Sequence, residues 1–143
     1  MQLSINNITD GQPIAAKFAF CVPDPQTHVT FAPNRNPAIS WRDVPSGTKS
    51  LVLLCVDVDA PSKPDDVNKD DREVPADLPR ADFYHWVMVD IPPTVMQIEE
   101  AACADGVVPH GKQLPAGPAQ TRQGLNDYTG WFSGDKDMAG NYY

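Results

Sequence analysis

Residues 50–61 read "SLVLLCVDVDAP", and the fold turns on how that stretch is read. Leu51, Leu53 and Cys55 alternate with Val52, Leu54 and Val56, so an extended strand here is apolar on both faces. That is the pattern of a central strand covered on both sides. The stretch closes on Asp57 and Asp59, which are two apart and on an extended chain project to one face. Two like charges at the end of a buried strand repel each other and resist desolvation. An unpaired buried carboxylate is strongly destabilising, so the pair demands a compensating partner.

On either side lie two more runs of this kind, "AISW" (38–41) and "YHWVMVDI" (84–91). Both are rich in β-branched and aromatic residues and bounded by Pro, Gly or Asp, the signature of strands. The segment "TVMQIEEAACA" (94–104) reads as the one respectable helix, with Thr94 as N-cap and Val95, Ile98 and Ala102 along one stripe. Turns are marked by "DG" at 10–11 and 105–106, "PSGTK" at 45–49 and "PAGP" at 115–118. Fifteen prolines in 143 residues are about twice the usual share and leave little room for long helices. A single, mostly β domain over 1–143 is expected, an antiparallel sandwich or barrel.

Nineteen acidic residues against eleven basic ones give a net charge of −8. Nucleic acid and anionic bilayers both need a basic face, so the balance argues against either as an electrostatic partner. It leaves room for a small anion held by local donors. The start, "MQLSINNITDGQPIAAKF", has no basic n-region followed by an apolar h-region, and no apolar run approaches the ~20 residues of a membrane span. A cytoplasmic location without integral membrane association is the expectation. Cys21, Cys55 and Cys103 are odd in number and show neither CxxC nor zinc-ligand spacing, which reads as three buried free thiols.

Between the two strongest strands runs "PSKPDDVNKDDREVPADLPRAD" (61–82), with four prolines, seven acidic and four basic residues. A connection longer than about 12–15 residues is either a solvated excursion or a functional lid or rim. Its two ends locate a site. If the flanking strands pair antiparallel, Asp57 and Asp59 at the end of one lie beside His85 at the start of the other. A parallel pairing would leave His85 roughly 20 Å from Asp57, at ~3.3 Å per residue. Pro61 then turns the chain outward and leaves the cluster at an open rim.

Three chemistries fit two carboxylates and an imidazole. A divalent metal is one, although Asp-x-Asp plus one distant His is weak spacing. A hydrolytic acid/base pair is the second, since adjacent carboxylates can be driven to share a proton; no nucleophile motif accompanies it. The third is a small-anion pocket, in which His85 donates and a carboxylate accepts from a protonated phosphate oxygen. Against all three stands a structural reading: Asp59 accepts backbone N–H bonds in the "DAPS" turn, and His85 is a satisfied rim histidine.

The motifs themselves resemble a known family. "DVDAPS" is similar to the Asp-x-Asp-Ala-Pro signature of the phosphatidylethanolamine-binding proteins, also called Raf kinase inhibitor proteins. "FYHWVMVDIPP" resembles the histidine strand that follows it, and "PAISWRDVPSGTKSLVLLCVD" the lead-in. "REVPADLPRADFYHW", "DGVVPHGKQ" and "GLNDYTGW" point to the bacterial YbhB/YbcL branch. The resemblance runs from about Asp10 to the last residue.

What the resemblance implies is an antiparallel two-sheet β-sandwich with Greek-key connections and short peripheral helices. It also implies a pocket for phosphate-like anions, including the head group of phosphatidylethanolamine. Asp57 and Asp59 match the signature carboxylates, Pro61 the turn after them, and His85 the strand histidine. Such proteins bind and regulate rather than catalyse, and the resemblance implies no cofactor. A kinase partner is not carried over to this branch. Relatives continue into a Gly-x-Gly-Pro-x-Pro loop, a His-x-Tyr strand and a terminal helix, none of which follows "MAGNYY" here. A sheet edge left open invites a second copy, so a homodimer is expected, with the tail "GDKDMAGNYY" docked on the partner or mobile.

Overall fold

The computed structural model describes residues 1–67, 69 and 71–143. Its strands are β1 (Gln2–Ile5), β2 (Cys21–Asp24), β3 (His28–Phe31), β4 (Ile39–Arg42), β5 (Leu51–Pro61), β6 (Arg80–Ile91), β7 (Gln97–Ile98) and β8 (Arg122–Gln123). Among the described residues, helix is confined to a 3₁₀ turn at Ala16–Phe18 and to α1 (Tyr128–Trp131). Among the described residues, no helix is long and apolar enough to cross a membrane. All named strands pair antiparallel, in the orders β1-β4-β7, β2-β3 and β5-β6-β8. The mostly β expectation holds, and all three predicted strands are present.

The position of β5 differs from the expectation. It is an edge strand, and β6 takes the centre of its sheet. Alternation then sorts the apolar run: Leu51 and Leu53 pack against the core, whereas Val52, Leu54 and Val58 stay exposed. A run apolar on both faces here marks one buried and one open face.

The helix expected over 94–104 does not form. Pro92 closes a turn by accepting the Val95 amide at 2.9 Å, and the Trp41 amide donates to Met96 O at 3.0 Å. These bonds dock the segment on β4 as β7, where Ile98 lies opposite Ile39 and is buried. Ala101 then takes a positive φ of 62°, which a right-handed helix cannot contain. Burial of Ile98 against the sheet outweighs helix propensity, which is at most a few tenths of a kcal/mol per residue here.

The core is formed by Ile39 and Trp41 of β4, Met88 and Ile91 of β6, Ile98 of β7, and Cys103. It joins two of the sheets. Asn36, itself buried, ties the 99–104 turn to this core. Its Oδ1 accepts the amides of Cys103 (2.8 Å) and Ala104 (3.0 Å), and its Nδ2 donates to Glu99 O at 2.8 Å. All three cysteines are free, but only Cys103 is buried.

The C-terminal segment also departs from the expectation of a mobile or partner-docked tail. It lies on its own chain, with Asn141 bridged to Gly111 and Tyr142 buried. The Tyr142 amide donates to Thr129 Oγ1 at 2.9 Å, and the Asn126 amide donates to Tyr142 O at 2.8 Å. Gly111 and Gly140 permit the approach, because a Cβ on either would collide with backbone carbonyls of the opposing segment. The bridge and these hydrogen bonds hold Asn141 and Tyr142 on the same chain.

Candidate functional site

Strand register builds the site. Asp57 lies opposite Phe83, as antiparallel pairing requires. Between Cys55↔Trp86 and Val56↔Tyr84 the ladder takes one step on β5 and two on β6, so His85 is the extra residue of a β-bulge. Bulges break the inside–outside alternation and re-aim a side chain, and they recur beside functional sites. Here the bulge turns His85 into a cavity of ≈ 360 Å³.

A second register shift falls between Asp57 and Ala60, with the extra residue now on β5. It breaks the alternation on which the shared face of Asp57 and Asp59 depended. Asp57 Oδ1 instead accepts the backbone N–H of Asp59 at 2.8 Å, an Asx-type turn that opens the chain toward Pro61. Asp57 is half-buried and Asp59 exposed. Pro61 lines a separate, shallower depression with Lys63, Phe83 and Trp131. The structure therefore brings Asp57 and His85 together, and leaves Asp59 and Pro61 on the outer side.

The loop's neck is closed where the Ser62 amide donates to Pro79 O at 3.2 Å. Beyond it Arg72 pairs with Asp71 and Asp66 in the open. Within the 61–82 connection, Asn68 and Asp70 lie outside the described residues.

The His85 ring sits among aromatic rings, 5.0 Å from Phe83 and 5.5 Å edge-on to Tyr128. Phe20 packs tilted against Tyr128 at 4.9 Å, and Phe132 stacks on it at 5.5 Å. Burial holds the His85 proton affinity below its ordinary value, against the opposing pull of Asp57 and then Asp127. Near neutral pH the ring is an uncharged donor–acceptor. Burial also pushes the Tyr128 phenol up to about 12, helped by the negative charge of Asp57.

Sequence reasoning missed the second carboxylate that His85 feels. It is Asp127, not Asp59. Asp127 Oδ2 accepts the Tyr84 amide at 2.7 Å, and its own amide donates to Tyr84 O at 3.0 Å. Beside it Asn126 Nδ2 donates to the His85 carbonyl at 3.0 Å. Asn126, Asp127 and Tyr128 are consecutive in "GLNDYTGW", so one short segment clamps the bulge from the β8 side. The signal was present as three adjacent polar residues, but nothing local says that they reach across to β6.

The rest of the cavity wall is mainly apolar and aromatic, with Phe18, Trp86, Val107 and Tyr142 among its members, and Arg35, Lys112 and Gln123 line it as well. Trp86 Nε1 donates to Gln123 Oε1 at 2.7 Å. Among the described residues, no group of three or more His, Cys, Asp or Glu is placed to hold a metal ion. His85 lines the cavity with Asp57 close enough to act on its charge, among aromatic rings and a few polar side chains, an arrangement suited to recognition by hydrogen bonding.

Comparison with known proteins supplies the context. The family model described as phosphatidylethanolamine-binding protein matches residues 4–142. A UPF0098 protein of Methanothermobacter thermautotrophicus is 34% identical over 103 residues, covering 72% of this chain and 50% of that protein. The UPF0098 protein YbhB of Escherichia coli is 32% identical over 89 residues, covering 62% of this chain and 42% of its own length. The crystal structure of E. coli YbcL, titled a new member of the mammalian PEBP family, superimposes with a TM-score of 0.58 at 26% identity. That match covers 89% of this chain and 60% of YbcL. The chain spans about half the length of the curated relatives it matches.

Proposed function

Because the chain belongs to the phosphatidylethanolamine-binding protein family, we propose that it is a non-catalytic binding or regulatory protein for a small phosphate-like anion, free or as a phospholipid head group. The observation that carries this reading is the bulge at His85, which turns the ring into the cavity mouth with Asp57 beside it. His85 donates to an anion oxygen. Asp57 accepts from a protonated phosphate oxygen or from the ammonium of an ethanolamine. The sheets β1-β4-β7 and β5-β6-β8 are read as the two layers of the family sandwich, a reading supported by their shared core.

Titration calorimetry with inorganic phosphate tests this. Wild type should bind weakly, and His85→Ala should lose about 1.5–3 kcal/mol, the worth of a hydrogen bond to a charged group. Asp57→Asn should move the pH dependence of binding more than the affinity at any one pH. Equal affinities of wild type and His85→Ala would remove His85 from the site.

We also propose a homodimer that pairs along the β5 edge. Supporting it are the edge position of β5 and the exposed Val52, Leu54 and Val58. Leu51–Val56 carries no charge, so two copies can pair there without like-charge contact despite the net charge. Light scattering should give twice the 15.6 kDa chain mass; a single chain mass throughout a dilution series would contradict it.

A further inference from the structure

Part of the cavity wall is made of two segments laid against each other. Val107, Val108 and Gly111 contribute one side, Tyr142 and Tyr143 the other. They meet backbone to backbone. Gly111 bridges Asn141, and His110 Nδ1 lies 2.9 Å from the Ala139 carbonyl oxygen. Gly140 rests so closely on the His110 backbone that a Cβ there would collide with it. His110 itself takes a φ of 64°, followed by 75° at Gly111. The left-handed region is uncommon for a residue with a side chain and costs free energy. His110 therefore gains by relaxing once the opposing segment departs.

Little else secures residues 138–143. The Tyr142 amide donates to Thr129 Oγ1, and Tyr142 O accepts the Asn126 amide. The Tyr142 hydroxyl donates to Met138 O, inside the segment itself. Among the described residues of the segment, only Tyr142 is buried, with its ring 5.5 Å from Phe132. Stretches with so few buried apolar contacts open locally, well below the free energy of global unfolding. We propose that residues 138–143 are a strap over the cavity. Docked, they close its wall with Tyr142 and Tyr143. Released, they let the 107–111 loop relax at His110 and open a route to Cys103, which lines the cavity and is otherwise buried. Gly111 and Gly140 form the latch, since a Cβ on either would keep the two backbones apart. The inference concerns access to the cavity and is independent of what enters it.

The test uses the full chain and no ligand. Amide-resolved hydrogen exchange should find Asn126 and Tyr142, both bonded through the strap, protected at least tenfold less than Trp41, whose amide is held in the sheet by Met96 O. Alkylation by iodoacetamide, read peptide by peptide in a mass spectrometer, follows Cys103 in the same samples. Gly140→Ala should release the strap. Exchange at both amides and alkylation of Cys103 should then rise tenfold or more, with Trp41 unchanged. Thr129→Val is milder, removing only the acceptor of the Tyr142 amide; it should raise Asn126 exchange and Cys103 alkylation by the same factor. Gly134→Ala adds a methyl that meets no atom within 4 Å and should change neither. Equal protection of Asn126, Tyr142 and Trp41 in the wild-type chain would overturn the inference, because the segment would then open only with the whole fold. Faster exchange at both amides without faster Cys103 alkylation would overturn it too, since the strap would guard nothing. So would a Gly134→Ala chain that behaves like Gly140→Ala. The wild-type chain and Thr129→Val decide the matter on their own if Gly140→Ala does not fold.

Discussion

The two ends of β6 show opposite solutions to burying a strand. At the C-terminal end Met88 and Ile91 are 0% and 1% exposed, closed in by Ile39, Trp41 and Ile98. At the N-terminal end Phe83, His85 and Tyr128 meet with ring centroids 5.0–5.5 Å apart, and His85 and Tyr128 line a cavity that reaches the 103–112 segment. Aliphatic side chains interdigitate to crystal-like density. Rings held edge to face around a bulge enclose space instead, and a polar group set in that wall is available to a ligand. One strand thus serves as a floor at one end and as a cavity wall at the other.

Removing atoms from the closed end should cost most. Met88→Ala should destabilise the fold by about 2–5 kcal/mol in urea unfolding, from lost transfer energy plus the cavity left behind. A loss below about 1 kcal/mol would mean that this end is not close-packed. Asn36→Ala comes next. It strands the amides of Cys103 and Ala104, at about 1–3 kcal/mol for an unsatisfied buried donor, and should loosen the 99–104 turn without unfolding the sheets. Normal protection of those two amides against hydrogen exchange in the variant would contradict the assigned role.

At the open end the expected effects are smaller and depend on pH. Burial keeps the folded His85 below its ordinary value of 6.5, so as pH falls through 6.5 the unfolded chain takes up the proton first. Stability should therefore drop between 6.5 and the lower folded value, and be untouched above that window. His85→Gln should flatten this part of the stability–pH curve; an unchanged curve would show that the ring is not buried as described. Smallest of all is the phenol of Tyr128. Ultraviolet titration should find one of the four tyrosines still protonated until about 12, and normal titration of all four would open the aromatic wall to solvent.

Much of the closed end was legible in the sequence. Apolar runs in 50–57 and 84–91 located β5 and β6, and the expectation of an antiparallel sheet then put Asp57 beside His85. What escaped was the set of features decided across the chain. Ile98 sits in a helix-like stripe locally, yet β4 offers it a partner and a buried place. Val52 and Leu54 look like core residues, but which face of β5 is covered depends on its neighbours. Of the proposed site residues, Asp57 and His85 could be paired from strand geometry alone. The bulge that aims His85, and the approach of Asp127 and Tyr128 from beyond β8, could not, because a one-residue register shift leaves no periodic trace in either strand.

The most direct test is an amide-resolved NMR titration of the full chain with inorganic phosphate. The account predicts saturable shifts at Asp57, Phe83–His85 and Tyr128, with Met88–Ile91 unmoved. Shifts absent from the His85 end, or equal at both ends of β6, would contradict it.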